Sequence, residues 1–313
     1  MTHAFDGLPP REAPPKNTTA LNSFLNAAAK KTDQAFDRLG WLTGSVIVMA
    51  ALQRALGSDG RPDFLIKGGA YLEHRLEVGA RATRDVDTVY RGAIADFETA
   101  LDSALAQPWE PFELARTEIE VVENARTTNK PRRLYIQLKI RGQVFRKIKV
   151  EVSFSEGRIG DEDERFAAPD LSALGLGAPD EIAGITMAYQ VAQKLHACTD
   201  PDAPAPEGDG KPFFNDRVRD VVDLLLLRGA FFPEGSELGA VRVAAEDVFR
   251  ARALEAEELG LVPRTWPPEL TAWQSWADGW RKPADQAGIE IGLDEALGEL
   301  NEWVAEIARS AAR

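Results

Sequence analysis

Residues 64–69 read Phe-Leu-Ile-Lys-Gly-Gly, and residues 81–90 read Arg-Ala-Thr-Arg-Asp-Val-Asp-Thr-Val-Tyr. The first stretch is a short apolar run that stops at a lysine and two glycines, the pattern of a buried strand turning into a helix. Paired glycines there let backbone N–H groups approach a phosphate, and the helix N-terminus that follows favours negative charge. Lys67 adds a point charge. By itself Lys67-Gly68-Gly69 is equally the composition of a tight turn, and it lacks the GxxxxGK(S/T) spacing of a P-loop. In the second stretch, Asp85 to Tyr90 alternates and reads as a strand. Residues i and i+2 of a strand project to one side, so Asp85 and Asp87 converge. Two converging carboxylates are costly without a cation, and hard oxygen ligands suit Mg²⁺ completed by substrate phosphates.

A third acid follows in Lys149-Val150-Glu151-Val152-Ser153-Phe154. Glu151 stands between apolar residues on an expected inner strand, where an unpaired carboxylate is expensive. Alternation alone also allows Glu151 to face water.

The combination of strand–diglycine–helix, a strand with two acids and a later strand with one acid resembles the DNA polymerase β-like nucleotidyltransferase superfamily. The closer resemblance is to the AbiEii/MenT nucleotidyltransferase toxins. It is carried by Lys67-Gly68-Gly69, Leu72, Arg75 and Arg81-Ala82-Thr83-Arg84-Asp85-Val86-Asp87, and continues through Lys194 and the run Arg219-Asp220 with Asp223. It covers roughly residues 62–228. The chain departs from the pattern in its long Pro/Gly-rich segment between Lys194 and Asp220, and in having Glu as third acid.

The resemblance implies a toxin enzyme of a toxin–antitoxin or phage-defence system, cytoplasmic, with a cognate antitoxin as partner. It implies transfer of a nucleotide from an NTP to an RNA acceptor, with the tRNA 3′ end expected. Asp85, Asp87 and Glu151 would hold Mg²⁺, with Mn²⁺ as the alternative ion. Gly68 and Gly69 would cradle the triphosphate, Lys67 and Lys194 would neutralise phosphate charge, and Asp220 would hold Lys194 or Arg219 in place or touch the nucleotide. Thr83 and Arg84 would contact the nucleotide, although a hydroxyl at 83 can also bond locally. The same fold acting on a protein or small-molecule acceptor, or merely binding a nucleotide, would carry the same residues. Asp85-Val86-Asp87-Thr88-Val89 also fits the DxDx(T/V) element of haloacid-dehalogenase-type phosphatases. That element needs a strongly apolar strand before it, and Gly79-Ala80-Arg81-Ala82-Thr83-Arg84 is not one.

Charge is unevenly distributed. The chain carries a formal net charge of −13 over 313 residues, which argues against a general nucleic-acid coat. Yet Arg126, Lys130, Arg132, Arg133, Lys139, Arg141, Arg146, Lys147 and Lys149 fall in one stretch with no Asp or Glu. This basic hairpin, turning at Arg141-Gly142-Gln143, adjoins Glu151 and suits a polyanion such as an RNA backbone. Lys and Arg also protect sheet edges, so the stretch reads equally as solvated strands.

Outward from this centre the expected architecture is α+β: a nucleotidyltransferase-type mixed β-sheet core with N-terminal helices and a helical C-terminal half. Residues 1–18 read as a mobile tail, 19–178 as the nucleotidyltransferase domain and 179–313 as a helical domain. Helices are expected at Thr18–Leu39, Trp41–Leu56, Ala70–Glu77 and Ile94–Ala106, and strands at Phe112–Val122, Arg133–Ile140 and Val144–Phe154. Residues 155–165 read as loop. Beyond Pro179 only helices are expected, at Asp180–Cys198, Asn215–Arg228, Leu238–Leu259, Pro267–Trp280 and Leu293–Ala312. A single cysteine, Cys198, excludes an internal disulfide framework, and no apolar run reaches the length of a membrane span. His3, His74 and His196 lack zinc spacing. Trp273, Trp276 and Trp280 fall at helical spacing and read as packing rather than base stacking.

Overall fold

The computed structural model describes residues 4–76, 83–123, 126–203 and 212–311. Arg81 and Ala82 of the motif lie outside the described residues. The chain opens with helices α1 (Thr18–Thr32) and α2 (Phe36–Leu52), separated where Asp33 turns left-handed at φ 54°. The expected break near Gly40 does not occur. Gly40 lies inside α2 because the Arg146 guanidinium packs on it, at 2.5 Å from where a Cβ would stand. The expected tail is fastened. Phe5 is buried, and the Arg11 N–H and Nε donate to the carbonyls of Ser172 (2.9 Å) and Ala173 (3.1 Å).

Strand β1 (Phe64–Lys67) runs straight into helix α3 (Gly68–Arg75), and β2 (Asp85–Tyr90) returns beside it. Helix α4 (Phe97–Ala106) follows, then β3 (Glu113–Arg116), β4 (Glu120–Val121), β5 (Arg132–Ile140) and β6 (Gln143–Phe154). The single strand expected over Phe112–Val122 is thus two. Between them the Thr117 hydroxyl accepts from the Tyr135 N–H (3.0 Å), replacing a backbone ladder bond.

The larger correction lies beyond the hairpin. β7 (Glu164–Ala167) begins inside the stretch read as loop, and β8 (Glu181–Gly184) occupies the start of the helix expected from Asp180. The physical reason is long-range. The Ile185 N–H donates to Ile66 O (3.0 Å), Gln53 brackets Ala183 through both its amide atoms, and the Tyr71 ring lies where a Cβ on Gly184 would be. Thr186 then caps α5 (Met187–Cys198), followed by α6 (Val218–Phe231), α7 (Gly239–Glu258), α8 (Trp276–Gln286) and α9 (Leu293–Arg309). α8 lies C-terminal to its expected place at Pro267–Trp280. Trp276 and Trp280 are buried in packing, their indole N–H groups donating to Asn215 O and Ile291 O. Among the described residues no single helix is long and apolar enough to cross a membrane.

The eight strands form one mixed sheet in the order β3-β5-β6-β2-β1-β8-β7, with β4 paired to β5. Val86, Ile148, Val150 and Val152 project to the buried face beneath α2 and α4, where Gly44 lets Ile148 approach. The other face carries a small apolar cluster, Leu65, Val89, Ile159, Ala183 and Ile185, under Tyr189 of α5. Past that cluster this face becomes polar, and the acids lie there.

Candidate active site

Register aligns the site. β2 and β6 pair in parallel with Asp87 opposite Glu151, β1 places Lys67 opposite Asp87, and β5 places Arg133 opposite Glu151. Side chains directly opposite one another share a face. One row across four strands therefore reads Arg133, Glu151, Asp87, Lys67, and the adjoining row reads Tyr135, Lys149, Asp85. Asp85 and Asp87 share a face as strand alternation implied, and it is the pairing of β2 with β6 that sets Glu151 opposite Asp87.

Asp87 lies beside the turn at Gly68. Burial, then Asp85, and further Glu151 push its carboxyl up to about 6, while Lys67 and Lys194 pull the other way. Gly68 explains how Asp87 is accommodated. Its φ is +67°, and an added Cβ would collide with the Asp87 carboxylate, so only glycine fits. The Gly68 N–H donates to Gln190 Oε1 on α5 (3.1 Å), and Gln190 is itself buried. The turn is thus locked by a side chain, and its first N–H is engaged within the protein. Burial lowers the pKa of Lys67, with Asp87 and Glu156 opposing and Arg252 and Arg217 adding to the effect.

Asp85 is oriented by Thr83, which is buried and whose hydroxyl donates to Asp85 Oδ1 (3.1 Å). The Arg38 guanidinium in turn donates to Thr83 O (3.0 Å) and pairs with Glu73 of α3. Lys149 bridges the acids, with Nζ 3.2 Å from Asp85 Oδ2 and 2.6 Å from Glu151 Oε1. Burial works against its charge, but Glu151 and Asp85 outweigh that and raise its pKa. Arg133 Nε completes the set, 2.9 Å from Glu151 Oε1. Arg84 is exposed beside the row.

On the helical side, Lys194 of α5 is clamped between two residues of α6, Asp220 Oδ1 (2.6 Å) and Asp223 Oδ2 (2.7 Å). Burial opposes its charge, yet the two carboxylates hold its pKa above the ordinary lysine range. Asp220 therefore positions Lys194, with Arg217 at 3.9 Å, while Arg219 is exposed. Asn215 fastens the start of α6. Its side chain donates to the carbonyls of Ala197 (3.0 Å) and Asp200 (2.7 Å) and accepts from the Arg217 N–H (2.9 Å).

Among the described residues no three His, Cys, Asp or Glu are gathered so as to enclose a metal ion. The donor chemistry nevertheless fits Mg²⁺, which needs only one or two protein carboxylates beside water and substrate phosphates. Asp85 and Asp87 supply these, and the Lys149 ammonium between Asp85 and Glu151 marks a place where positive charge is held.

The basic hairpin divides between the two faces. Arg133 and Lys147 lie on the open, acid-bearing face. Arg132 and Arg146 do not: Arg132 lies over the Phe154 ring, and Arg146 packs against Phe36, Phe145 and Gly40. Arg126 bonds Asp200 (3.2 Å) and stacks on Phe213. The Lys130 carbonyl accepts from Arg132 (2.5 Å). The expected RNA platform thus narrows, because consecutive basic residues on a strand alternate sides.

Gln190, Asn215 and Arg252 were not expected at the site from sequence, and Lys149 was expected only as part of the basic hairpin. Two signals were present. Lys149 stands two residues before Glu151 on one strand, and Gln190 stands four before Lys194 on one helix face. Arg252, paired with Glu156 at 2.5 Å, carries no local signal.

The sequence matches the family described as "Nucleotidyl transferase AbiEii toxin, Type IV TA system" over residues 50–299. Among solved structures the fold is similar to MenT4, a nucleotidyltransferase toxin from Mycobacterium tuberculosis H37Rv. The identity is 14%, the TM-score 0.53, and the match covers 94% of this chain and 90% of that one. JHP933 from Helicobacter pylori is 14% identical with a TM-score of 0.42, covering 86% and 92%. An antigenic nucleotidyltransferase-like protein from Paracoccidioides brasiliensis is 13% identical with a TM-score of 0.32, covering 80% and 97%. No match was found among curated proteins.

Proposed function

Because the chain belongs to the AbiEii family of nucleotidyl transferase toxins of type IV toxin–antitoxin systems, we propose that it transfers a nucleoside monophosphate from an NTP to an RNA hydroxyl. The 3′ end of tRNA is the acceptor to test first, and a cognate antitoxin is the protein partner. The observation that carries this reading is the in-register row Lys67, Asp87, Glu151 beside a glycine that fits only against Asp87.

Asp85 and Asp87 would hold Mg²⁺ or Mn²⁺, with Glu151 beside them, and such an ion would supply Lewis-acid stabilisation of negative charge on hydroxyl and phosphate oxygens. Thr83 keeps the Asp85 carboxylate turned toward the site. Lys67 neutralises phosphate charge, and an anionic ligand beside it would offset the cost of burying its ammonium. The Gly68 N–H is committed to Gln190, so the expected diglycine cradle would have to draw on the backbone that follows it at the start of α3. Lys194 is held rigidly by Asp220 and Asp223, so it stabilises developing phosphate charge without reorganising. Arg84 and Arg217 provide exposed positive charge at the rim. Arg133 and Lys147 meet the acceptor backbone.

The test is incubation with each α-labelled NTP, divalent cation and total RNA, with Asp87→Asn alongside. Label in RNA that falls by at least roughly a hundredfold in the variant is expected, on the scale of removing one electrostatic group from a transfer site. Label in protein instead would replace the acceptor, and an Asp87→Asn enzyme of near-normal rate would overturn the site.

A further inference from the structure

Beyond the acid row, β5 presents a second pattern. Arg133, Tyr135, Gln137 and Lys139 alternate with the buried Leu134, Ile136, Leu138 and Ile140. The first set therefore lies on the open face with the acids. Tyr135 sits opposite Lys149, which sits opposite Asp85. Two inter-strand spacings place its Cα roughly 10 Å from that of Asp85. The residue is 38% exposed, one of the few large apolar side chains on this surface. Both its backbone groups are held by Thr117, the N–H donating to Thr117 Oγ1 (3.0 Å) and the C=O accepting from the Thr117 N–H (2.9 Å). The ring thus stands on a rigid strand and loses little freedom on binding. Three cations lie around it: Arg133 along the same strand, paired with Glu151; Lys149 opposite, paired with Asp85 and Glu151; and the exposed Lys147 on β6.

An exposed aromatic ring on a sheet, flanked by cations, matches one occupant by chemistry: an unpaired base with its neighbouring phosphates. We propose that Tyr135 stacks a base of the RNA acceptor close to its reacting end, with Arg133 and Lys147 taking the flanking phosphates. Stacking needs a free π-face, so the site takes single-stranded RNA and excludes paired bases. It orients the acceptor strand so that its terminus lies at Asp85 and Asp87. This inference rests on the RNA-acceptor reading above and adds to it the residue that receives the strand.

The experiment uses the full chain and a short single-stranded RNA, either 5′-fluorescein-labelled for anisotropy or carrying 2-aminopurine near its 3′ end. Tyr135→Ala and Tyr135→Leu are each expected to weaken RNA binding about tenfold, on the scale of one lost base–aromatic stack. Both should also abolish quenching of 2-aminopurine, while Tyr135→Phe retains both signals. Binding of a fluorescent NTP analogue should be unchanged in all three, which also reports that the variants are folded. Leucine preserves apolar bulk, so a Tyr135→Leu protein that binds and quenches like the parent would overturn stacking. Equal affinity for duplex RNA would overturn it too. If the parent neither binds nor labels RNA, the acceptor reading fails. If the parent labels RNA and Tyr135→Ala binds it normally, only the stacking role fails.

Discussion

Lys194 and Lys149 each bridge two carboxylates, yet their settings make them different devices. Lys194 is buried between two helices, and its partners Asp220 and Asp223 both come from α6. Lys149 lies on an open sheet face, about a quarter exposed, and its partners Asp85 and Glu151 come from separate strands. In the first case the charges have left water, so the ammonium and carboxylates depend on one another. In the second, each side chain keeps about a quarter to a third of its surface in water, which lessens that mutual dependence. The lesson is that identical local chemistry produces a fixed fixture in one layer and a replaceable counter-ion in the other.

The sharpest way to break this comparison is to remove each ammonium. Lys194→Met strands two buried carboxylates, and denaturant unfolding should show a loss of about 3–5 kcal/mol. A loss below about 1 kcal/mol would mean that Asp220 and Asp223 find other partners. Next in size is Gly68→Ala, which adds a Cβ against the Asp87 carboxylate at positive φ. It should cost about 1–3 kcal/mol and weaken NTP binding in a nucleotide titration.

On α5, His196 offers a pH test of how dry the helical layer is. Burial, with Arg264 and Arg252 adding, holds its pKa well below 6.5. The unfolded chain therefore takes up the proton first, so this contribution is fully present above pH 6.5 and declines as pH falls below it. Parent protein should lose stability relative to His196→Gln by about 1.4 kcal/mol per pH unit in that range. Parallel pH profiles would show the site to be wet. The smallest effect on folding belongs to Lys149→Met, which should change stability by less than about 1 kcal/mol. The same variant should bind Mn²⁺ more tightly when followed by electron paramagnetic resonance, because it removes the competing cation. Unchanged affinity would show that Lys149 and the metal occupy separate places.

The site was readable where chemistry follows chain periodicity. Asp85 and Asp87 share a face because strands repeat every two residues, and Lys67-Gly68-Gly69 marks the strand-to-helix turn. Lys194 and Asp220 were paired by motif alone, and the structure adds Asp223 as an equal ligand. The basic hairpin is one run in the sequence but two faces in the fold. The pleat of β5 and β6 sends Arg132 and Arg146 to the helix-covered face. β8 was misread because Glu181-Ile182-Ala183-Gly184 has no strong local preference and becomes a strand only by pairing with β1 and packing on Tyr71.

By its sequence alone this protein determined the turn chemistry, the faces of its acidic strand and its kinship, since these depend on residues near one another in the chain. Tertiary structure alone decided the strand order that aligns Glu151 with Asp87, the commitment of the Gly68 N–H to Gln190, and which cations remain open to a partner. Those outcomes depend on pairings between distant segments, where burial and register, rather than local preference, set the energy.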